Sequence, residues 1–386
     1  MMLSQRYLLL VFAAAVYLVG TTEFMLSATL TPLAEVFSVD PIQVSWLISA
    51  YALTYAITAP VLGYFSDRVD RRKLLLAGML LFAIDSLAII VSPSFGVALI
   101  FRICGGLASA IIVPTVFALI ADIVPSSQQP VAMGQAMLGM TLGIVLGPVF
   151  AGVLTEYAAW YVPFIMTAIG SFIVWFCAYR ILPSHQPYDI RQKQASFRWL
   201  RDFKLIRLVG AKALWNGSAV SVFLLAGEVL RHKFKIDSAV IGMVISAFGV
   251  GLLVGNWQVK SLSKILYNNH QRLFAVVTLM SIAIIVFMIA NYSLLIAIVI
   301  LFIWGNFLGM AAPLSASIIA TESGENKGQV LAVSESLNNI VLFTMLPFLS
   351  WLLNQFGLKE VGAMVAIILV SALLISLFSM RKNQEG

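Results

Sequence analysis

Charge is what this sequence has least of. Only 11% of its 386 residues are Asp, Glu, Lys or Arg, while 61% are hydrophobic. A soluble domain carries about 25% charged residues. Too little polar surface exists here to cover so much apolar material in water, so lipid must be the solvent for much of it. Cysteine is also scarce: Cys104 and Cys177 both sit inside apolar runs, which excludes a disulfide framework and a thiolate metal site. The three histidines, His185, His232 and His270, fall in polar links, so no intramembrane His-acid catalytic set is formed. There is no Gly-x-x-x-x-Gly-Lys-Ser/Thr loop for a nucleoside triphosphate. Neither a cofactor nor a metal site is called for.

What is present is a series of long, continuous apolar runs. A bilayer core about 30 Å thick takes about 20 apolar residues per helix, and strands of a membrane barrel would alternate instead. The runs predict twelve helical spans, at 8–32, 43–65, 74–92, 96–122, 131–154, 161–182, 205–228, 238–258, 273–290, 293–320, 328–352 and 360–380. The first is too long for a secretory signal core and contains Glu23, so it is read as a retained span. The seventh is the least apolar, with Lys212, Asn216 and Glu228.

The net charge of +7 is concentrated in the short links. With the N-terminus inside, eighteen of the 24 Lys and Arg residues fall in inner segments, four in outer ones, and Arg102 and Lys212 within spans. This positive-inside bias predicts a cell membrane protein with both termini cytoplasmic, and it accounts for the basic residues through lipid rather than nucleic acid. The basic link Pro183–Lys204 divides the spans six and six; it reads as a plain linker or as an amphipathic helix on the inner leaflet. The expected organisation is therefore an N-terminal bundle at 1–182, a linker at 183–204 and a C-terminal bundle at 205–386. A shift of 199 residues carries Gly106 onto Gly305, Pro114 onto Pro313 and Pro148 onto Pro347, an internal repeat of the kind that builds transporters.

Between the second and third spans runs Gly63-Tyr-Phe-Ser-Asp67-Arg68-Val-Asp70-Arg71-Arg72-Lys73. The run resembles the signature loop of the major facilitator superfamily, with Asp70 in place of the second glycine and Phe65 in place of the leucine. The resemblance implies that Asp67 docks at the helix beginning near Gly328 and that Arg71 pairs with Asp122 at the end of the fourth span. These contacts, with Gly63 and Arg68, would form an inner gate. The fourth span holds Arg102-x-x-Gly105-Gly106, similar to the family's Arg-x-x-Gln-Gly motif with Gly105 replacing glutamine. The fifth span reads Gly139-x-x-x-Gly143-x-x-x-Gly147-Pro148-x-x-Ala151-Gly152. Its bare stripe allows close helix packing, and it resembles the antiporter motif of the family's proton-coupled exporters. The run Gly20-Thr-Thr-Glu23-Phe24 is similar to the opening of the drug, sugar and nucleoside exporters among the twelve-helix drug:proton antiporters.

The resemblance implies an all-α membrane protein with twelve transmembrane helices in two pseudo-symmetric six-helix bundles, acting as a monomer on a small-molecule solute and protons. By rise per residue, Glu23 lies about 10–15 Å and Arg102 about 9 Å below the outer surface, which makes a pair between them geometrically possible. An ionisable residue in a span is a functional candidate, so proton coupling is expected at Glu23, Arg102 or Asp85; Asp85 also reads as a structural partner. Candidate solute-cavity residues are Tyr51, Tyr55, Trp215, Asn216, Trp304, Glu335, Asn338 and Asn339, with helix packing as the other reading. Lys212 can reach the inner surface. The expected activity is efflux of an amphipathic solute in exchange for protons. The alternative is a dedicated exporter of a sugar, nucleoside, amino-acid derivative or zwitterionic metallophore. An uptake symporter, a membrane enzyme and a sensor fit the motifs less well.

Overall fold

The computed structural model describes residues 3–66, 69–125, 128–182, 199, 201–262, 268–324 and 327–381. Among these residues there is no strand. The helices are α1 (Leu3–Phe24), α2 (Leu30–Phe37), α3 (Pro41–Ser66), α4 (Arg71–Ile90), α5 (Phe95–Ile123), α6 (Gln129–Tyr157) and α7 (Val162–Ile181). They continue with α8 (Phe203–Phe234), α9 (Ser238–Leu262), α10 (Asn269–Ile289), α11 (Leu294–Glu322), α12 (Lys327–Phe356) and α13 (Leu358–Arg381). All except α2 are long and apolar enough to cross a membrane, giving twelve candidate spans. In lipid a helix satisfies its own backbone, which is why apolar composition all round translates into helix here.

The first predicted span, 8–32, is broken in the structure. α1 ends at Phe24, a 3-10 turn covers Met25–Ala28, and the chain resumes in α2. Glu23 thus sits in the last turn of α1, at the break. Polar side chains set several other ends. Asp70 accepts from the backbone N–H groups of Arg72 and Lys73 at the start of α4. Asp202 does the same for Lys204 and Leu205 at α8, and Asn268 for His270 at α10. Such caps satisfy orphan donors of the first turn.

The chain divides into two compact units. One is Met1–Gln192 with Asp237–Gly242; the other is Lys193–Ile236 with Met243–Gly386. In the first, α1 packs on α6 and α7, and α5 lies between α3 and α4. Its core joins Phe12, Val16 and Val19 of α1 to Met79 and Phe82 of α4 and Ile112, Val116 and Ile120 of α5, all fully or almost fully buried. In the second, α8 packs on α12 and α13, and α10 on α11 and α13. The seventh span, the least apolar by sequence, is the 32-residue α8, and 78% of its apolar window is enclosed by protein. Its Lys212, Ser218 and Ser221 side chains are enclosed by protein. Most of the link Pro183–Lys204, with its amphipathic-helix reading, lies outside the described residues, as do Asp67 and Arg68.

Candidate functional site

The first unit buries a charged cluster. Arg102 of α5 is 1% exposed and its Nη1 donates to Oδ2 of Asp85 of α4 at 3.1 Å; Asp85 is fully buried. The sequence offered Glu23 as a partner for Arg102, yet the carboxylate that Arg102 bonds here is that of Asp85. The reason lies at Gly105, one turn along α5. A Cβ there would stand 2.3 Å from Asp85 Oδ2, so the carboxylate occupies the space a side chain would need. The departure from the Arg-x-x-Gln-Gly pattern and the acid in α4 are thus one feature. The Tyr51 ring of α3 covers the guanidinium, 4.6 Å from Cζ to the centroid, and the Tyr51 hydroxyl donates to Ser109. Glu23 is half-buried and near enough to act electrostatically on the Tyr51 phenol, together with Arg102 and Asp85. Oδ1 of Asp85 and Nε of Arg102 are buried and without a hydrogen-bond partner among the described residues. Such an ion pair is held by geometry, because desolvation costs several kcal/mol per ion and removing one partner leaves a naked charge.

At the end of the same unit, Arg71 forms an ion pair with Asp122 and also reaches the Ala118 carbonyl at 3.4 Å. Arg72 donates to the Tyr179 carbonyl at 2.6 Å. Gly63 lies in the last turns of α3. Asp70, which replaces a glycine of the family loop, caps α4 at φ −56°, a conformation that needs no glycine.

The glycine stripe of α6 faces α1. A Cβ on Gly139 would meet the Ala13 carbonyl oxygen at 2.0 Å, one on Gly143 that of Tyr17 at 2.5 Å, and one on Gly147 that of Thr21 at 3.0 Å. Partners advance four residues for each glycine, so the two helices run side by side in the same direction. Beyond Pro148, Gly152 lies against the carbonyl of Ser238, and Gly242 against that of Pro148. The Glu156 carboxylate accepts from the Ser238 N–H at 3.1 Å. All these residues belong to the first unit.

The second unit has its own internal charges. Lys212 is 2% exposed, and its Nζ donates to Glu335 Oε1 of α12 at 2.6 Å. Its predicted reach to the inner surface is therefore corrected: the ammonium is enclosed and paired. Asn338 Nδ2 donates to Glu335 Oε2 at 3.0 Å, whereas Asn338 Oδ1 is buried with no partner among the described residues. The Glu335 side chain is 55% exposed. Asn216 and Asn339 are half-buried, and Asn339 donates to the Glu335 carbonyl. Of the candidate aromatics, Tyr55 is half-buried, but Tyr51, Trp215 and Trp304 are enclosed by protein. Trp304 packs edge-on against Phe223 and Phe248, with Phe287 tilted beside it. A cavity of about 690 Å³ in this unit is lined by Arg207, Gly210, Ala213, Leu214, Leu337, Val341 and Ile375. None of the candidate residues lines it.

One cluster was missed in the sequence. His270 Nε2 lies 2.9 Å and Lys204 Nζ 3.1 Å from Glu322 Oε1, joining the starts of α8 and α10 to the end of α11. The signal for it existed. The 199-residue shift carries Arg71 onto His270 and Asp122 to the residue before Glu322, so His270 and Glu322 repeat the Arg71–Asp122 contact. The repeated glycines have the same physical meaning: a Cβ on Gly106 would strike the Tyr51 carbonyl, and one on Gly305 that of Phe248.

Twelve apolar helices in two units, each with ionisable side chains paired inside it, make up a polytopic membrane-protein fold. The family model described as Major Facilitator Superfamily matches residues 12–227, and the chain belongs to that family. It is 27% identical over 249 residues to the uncharacterized MFS-type transporter YceJ of Bacillus subtilis, covering 64% of each chain. It is 29% identical over 201 residues to MdtD of Pectobacterium atrosepticum, whose name carries the words multidrug resistance protein; the match covers 51% of this chain and 42% of MdtD. The chain therefore spans less than two thirds of these two relatives' length. Among solved structures it is similar to a bacterial homolog of the human lysosomal transporter Spinster in its inward-facing, occupied conformation, with TM-score 0.76, 14% identity, and coverage of 98% and 97%. The unoccupied inward-facing form gives TM-score 0.72 at 13% identity, covering 98% and 96%. At these identities the likeness concerns the fold.

Proposed function

We propose that this chain is a proton-coupled exporter that exchanges a small amphipathic solute for protons by alternating access, as a monomer in the cell membrane with both termini cytoplasmic. The observation that carries the reading is the charge arrangement around Arg102. One guanidinium is bonded to Asp85, while a second carboxylate, Glu23, acts on the same Tyr51 and stays half-exposed. Two acids thus stand near one base, and a proton arriving at either changes the charge of the cluster. Asp85 is tied to Arg102, and Glu23, half-buried at the end of α1, is the acid assigned here to proton exchange. Its place where α1 gives way to a 3-10 turn lets that charge change alter the path of the chain. Arg71–Asp122 acts as an inner gate together with Asp67, Arg68 and Gly63, and the α6 stripe is the antiporter element. The relatives' names, with multidrug resistance among them, fit export.

A second reading, a dedicated exporter of a polar metabolite, is favoured by Lys212, Glu335 and Asn338, which would suit a zwitterion better than a neutral greasy molecule. One experiment serves both. Reconstituted vesicles are challenged with dyes, antibiotics, nucleosides and zwitterionic metabolites while proton flux is recorded, wild type beside Glu23→Gln. Solute-driven flux that disappears in the variant supports antiport through Glu23, and the active solute names the class. Flux that survives moves the coupling to another acid.

A further inference from the structure

We infer that Lys212 is an internal stand-in for a cationic solute: the two compete for Glu335, and solute binding discharges the lysine's proton. The inference rests on the export reading above and adds the solute's charge and a second proton, carried by Lys212, beside the one exchanged at Glu23. Glu335 supplies one negative charge, and Lys212 now balances it at 2.6 Å from a position 2% exposed. The lysine is enclosed by protein, while 55% of the Glu335 side chain remains exposed. A solute can therefore reach Glu335 without passing Lys212. Beside it, the buried Asn338 Oδ1 lacks a donor, and a buried acceptor left unpaired costs about 1–3 kcal/mol. Asn338 Oδ1 is enclosed by protein, so the group a cationic solute meets is the exposed Glu335 carboxylate.

The site balances only one cation. Once a solute cation binds Glu335, a charged Lys212 is enclosed without compensation, at a cost of several kcal/mol. Lysine has a way out that arginine lacks: it can lose its proton. The step balances. A solute cation arrives, Lys212 Nζ gives one proton to water on the exposed side of Glu335 and becomes a neutral amine, and the net charge of the site stays zero. When the solute leaves, the amine takes a proton back and the pair re-forms. Among the described residues, the other charged groups of this unit near the pair are engaged elsewhere. Lys204, His270 and Glu322 form their own cluster, Glu228 and Arg231 pair with each other, and Lys233 bonds Tyr292 and the end of α10. Arg207 lies about 7.5 Å down α8 by helical rise, with the cavity between α8, α12 and α13.

Ethidium, a cation with amino N–H groups, is a suitable probe for the purified full chain in detergent, with binding read by fluorescence and protons by an indicator in weak buffer. Wild type is expected to release about one proton per ethidium bound. Lys212→Gln removes the competitor, so ethidium should bind roughly tenfold tighter and release none; a gain of affinity cannot come from misfolding. Lys212→Arg keeps the charge but has no proton to give, so binding should weaken roughly tenfold without release. Unchanged or weaker binding in Lys212→Gln, or proton release that persists in it, overturns the inference. Absence of ethidium binding to wild type also overturns it. The export reading would still stand if neutral or zwitterionic solutes drive Glu23-dependent proton flux in vesicles.

Discussion

Gly105 and Asp85 share one volume: the carboxylate Oδ2 lies 2.3 Å from where a Cβ at residue 105 would be. No rotamer of a larger residue relieves this, since the Cβ position is fixed by the backbone. Gly105→Ala should therefore expel Asp85 from Arg102 and leave a buried guanidinium unpaired, at a cost of about 3–5 kcal/mol. Thermal unfolding in detergent would record it as a large drop in midpoint. The double variant Gly105→Ala/Asp85→Ala should not be worse than Asp85→Ala alone, because the clash is gone once the acid is. A double variant that loses the sum of both would show that Gly105 serves another contact.

Asp70 gives a second measurable quantity. Its carboxylate holds two first-turn N–H groups of α4, and replacing such a cap by Ala costs about 1 kcal/mol, whereas Asn retains it and Gly loses only a few tenths. The expected order of unfolding midpoints is wild type near Asp70→Asn, then Asp70→Gly, then Asp70→Ala. Equal stability of the Ala and Asn variants would mean that charge near Arg71 and Arg72, and not the cap, explains the residue.

Fold class was legible because composition dictates it: runs of about twenty apolar residues have one stable form in lipid. The pairing of charges was less so. Whether Arg102 meets Glu23 or Asp85 depends on how α1, α4 and α5 are rotated about their axes, which no single helix encodes. Gly105 was the available clue, a small residue one turn from a buried charge. Lys212 misled for a related reason. Polar residues lower a span's hydropathy whether they face water or protein, so α8 looked marginal although it is one of the best-enclosed helices. Asp70 showed in the sequence only as a departure from the family loop, because its capping role lies in bonds to the backbone N–H groups of Arg72 and Lys73.

Topology is open to direct test. The eighteen-to-four charge split predicts Lys235 and Lys359 outside and His270 inside. With Cys104 and Cys177 replaced by serine, single cysteines at 235 and 359 should react with a membrane-impermeant maleimide on intact cells. A cysteine at 270 should react only after permeabilisation. The reverse pattern would invert the orientation and with it the direction of transport.

The stripe on α6 yields a graded prediction. Gly139 and Gly143 bring α6 against the carbonyl oxygens of Ala13 and Tyr17, at 2.0 and 2.5 Å from a notional Cβ. Backbone atoms cannot swing aside as a flexible side chain does, so Gly139→Ala and Gly143→Ala require α1 and α6 to separate. Close van der Waals packing is the main attraction between helices in lipid, so each change should destabilise the first unit. Gly147 has a looser contact, 3.0 Å from the Thr21 carbonyl, and its alanine variant should cost less. Gly134, on the same helix, and Gly96 of α5 have nothing within 4 Å and serve as controls. Alanine at either should be neutral or slightly stabilising, because Gly is about 1 kcal/mol worse than Ala within a helix. Unfolding midpoints should thus rank 134 and 96 above 147, and 147 above 139 and 143. If all five variants behave alike, the stripe is not a packing surface, and the antiporter role proposed for it would have to rest on some property other than close approach.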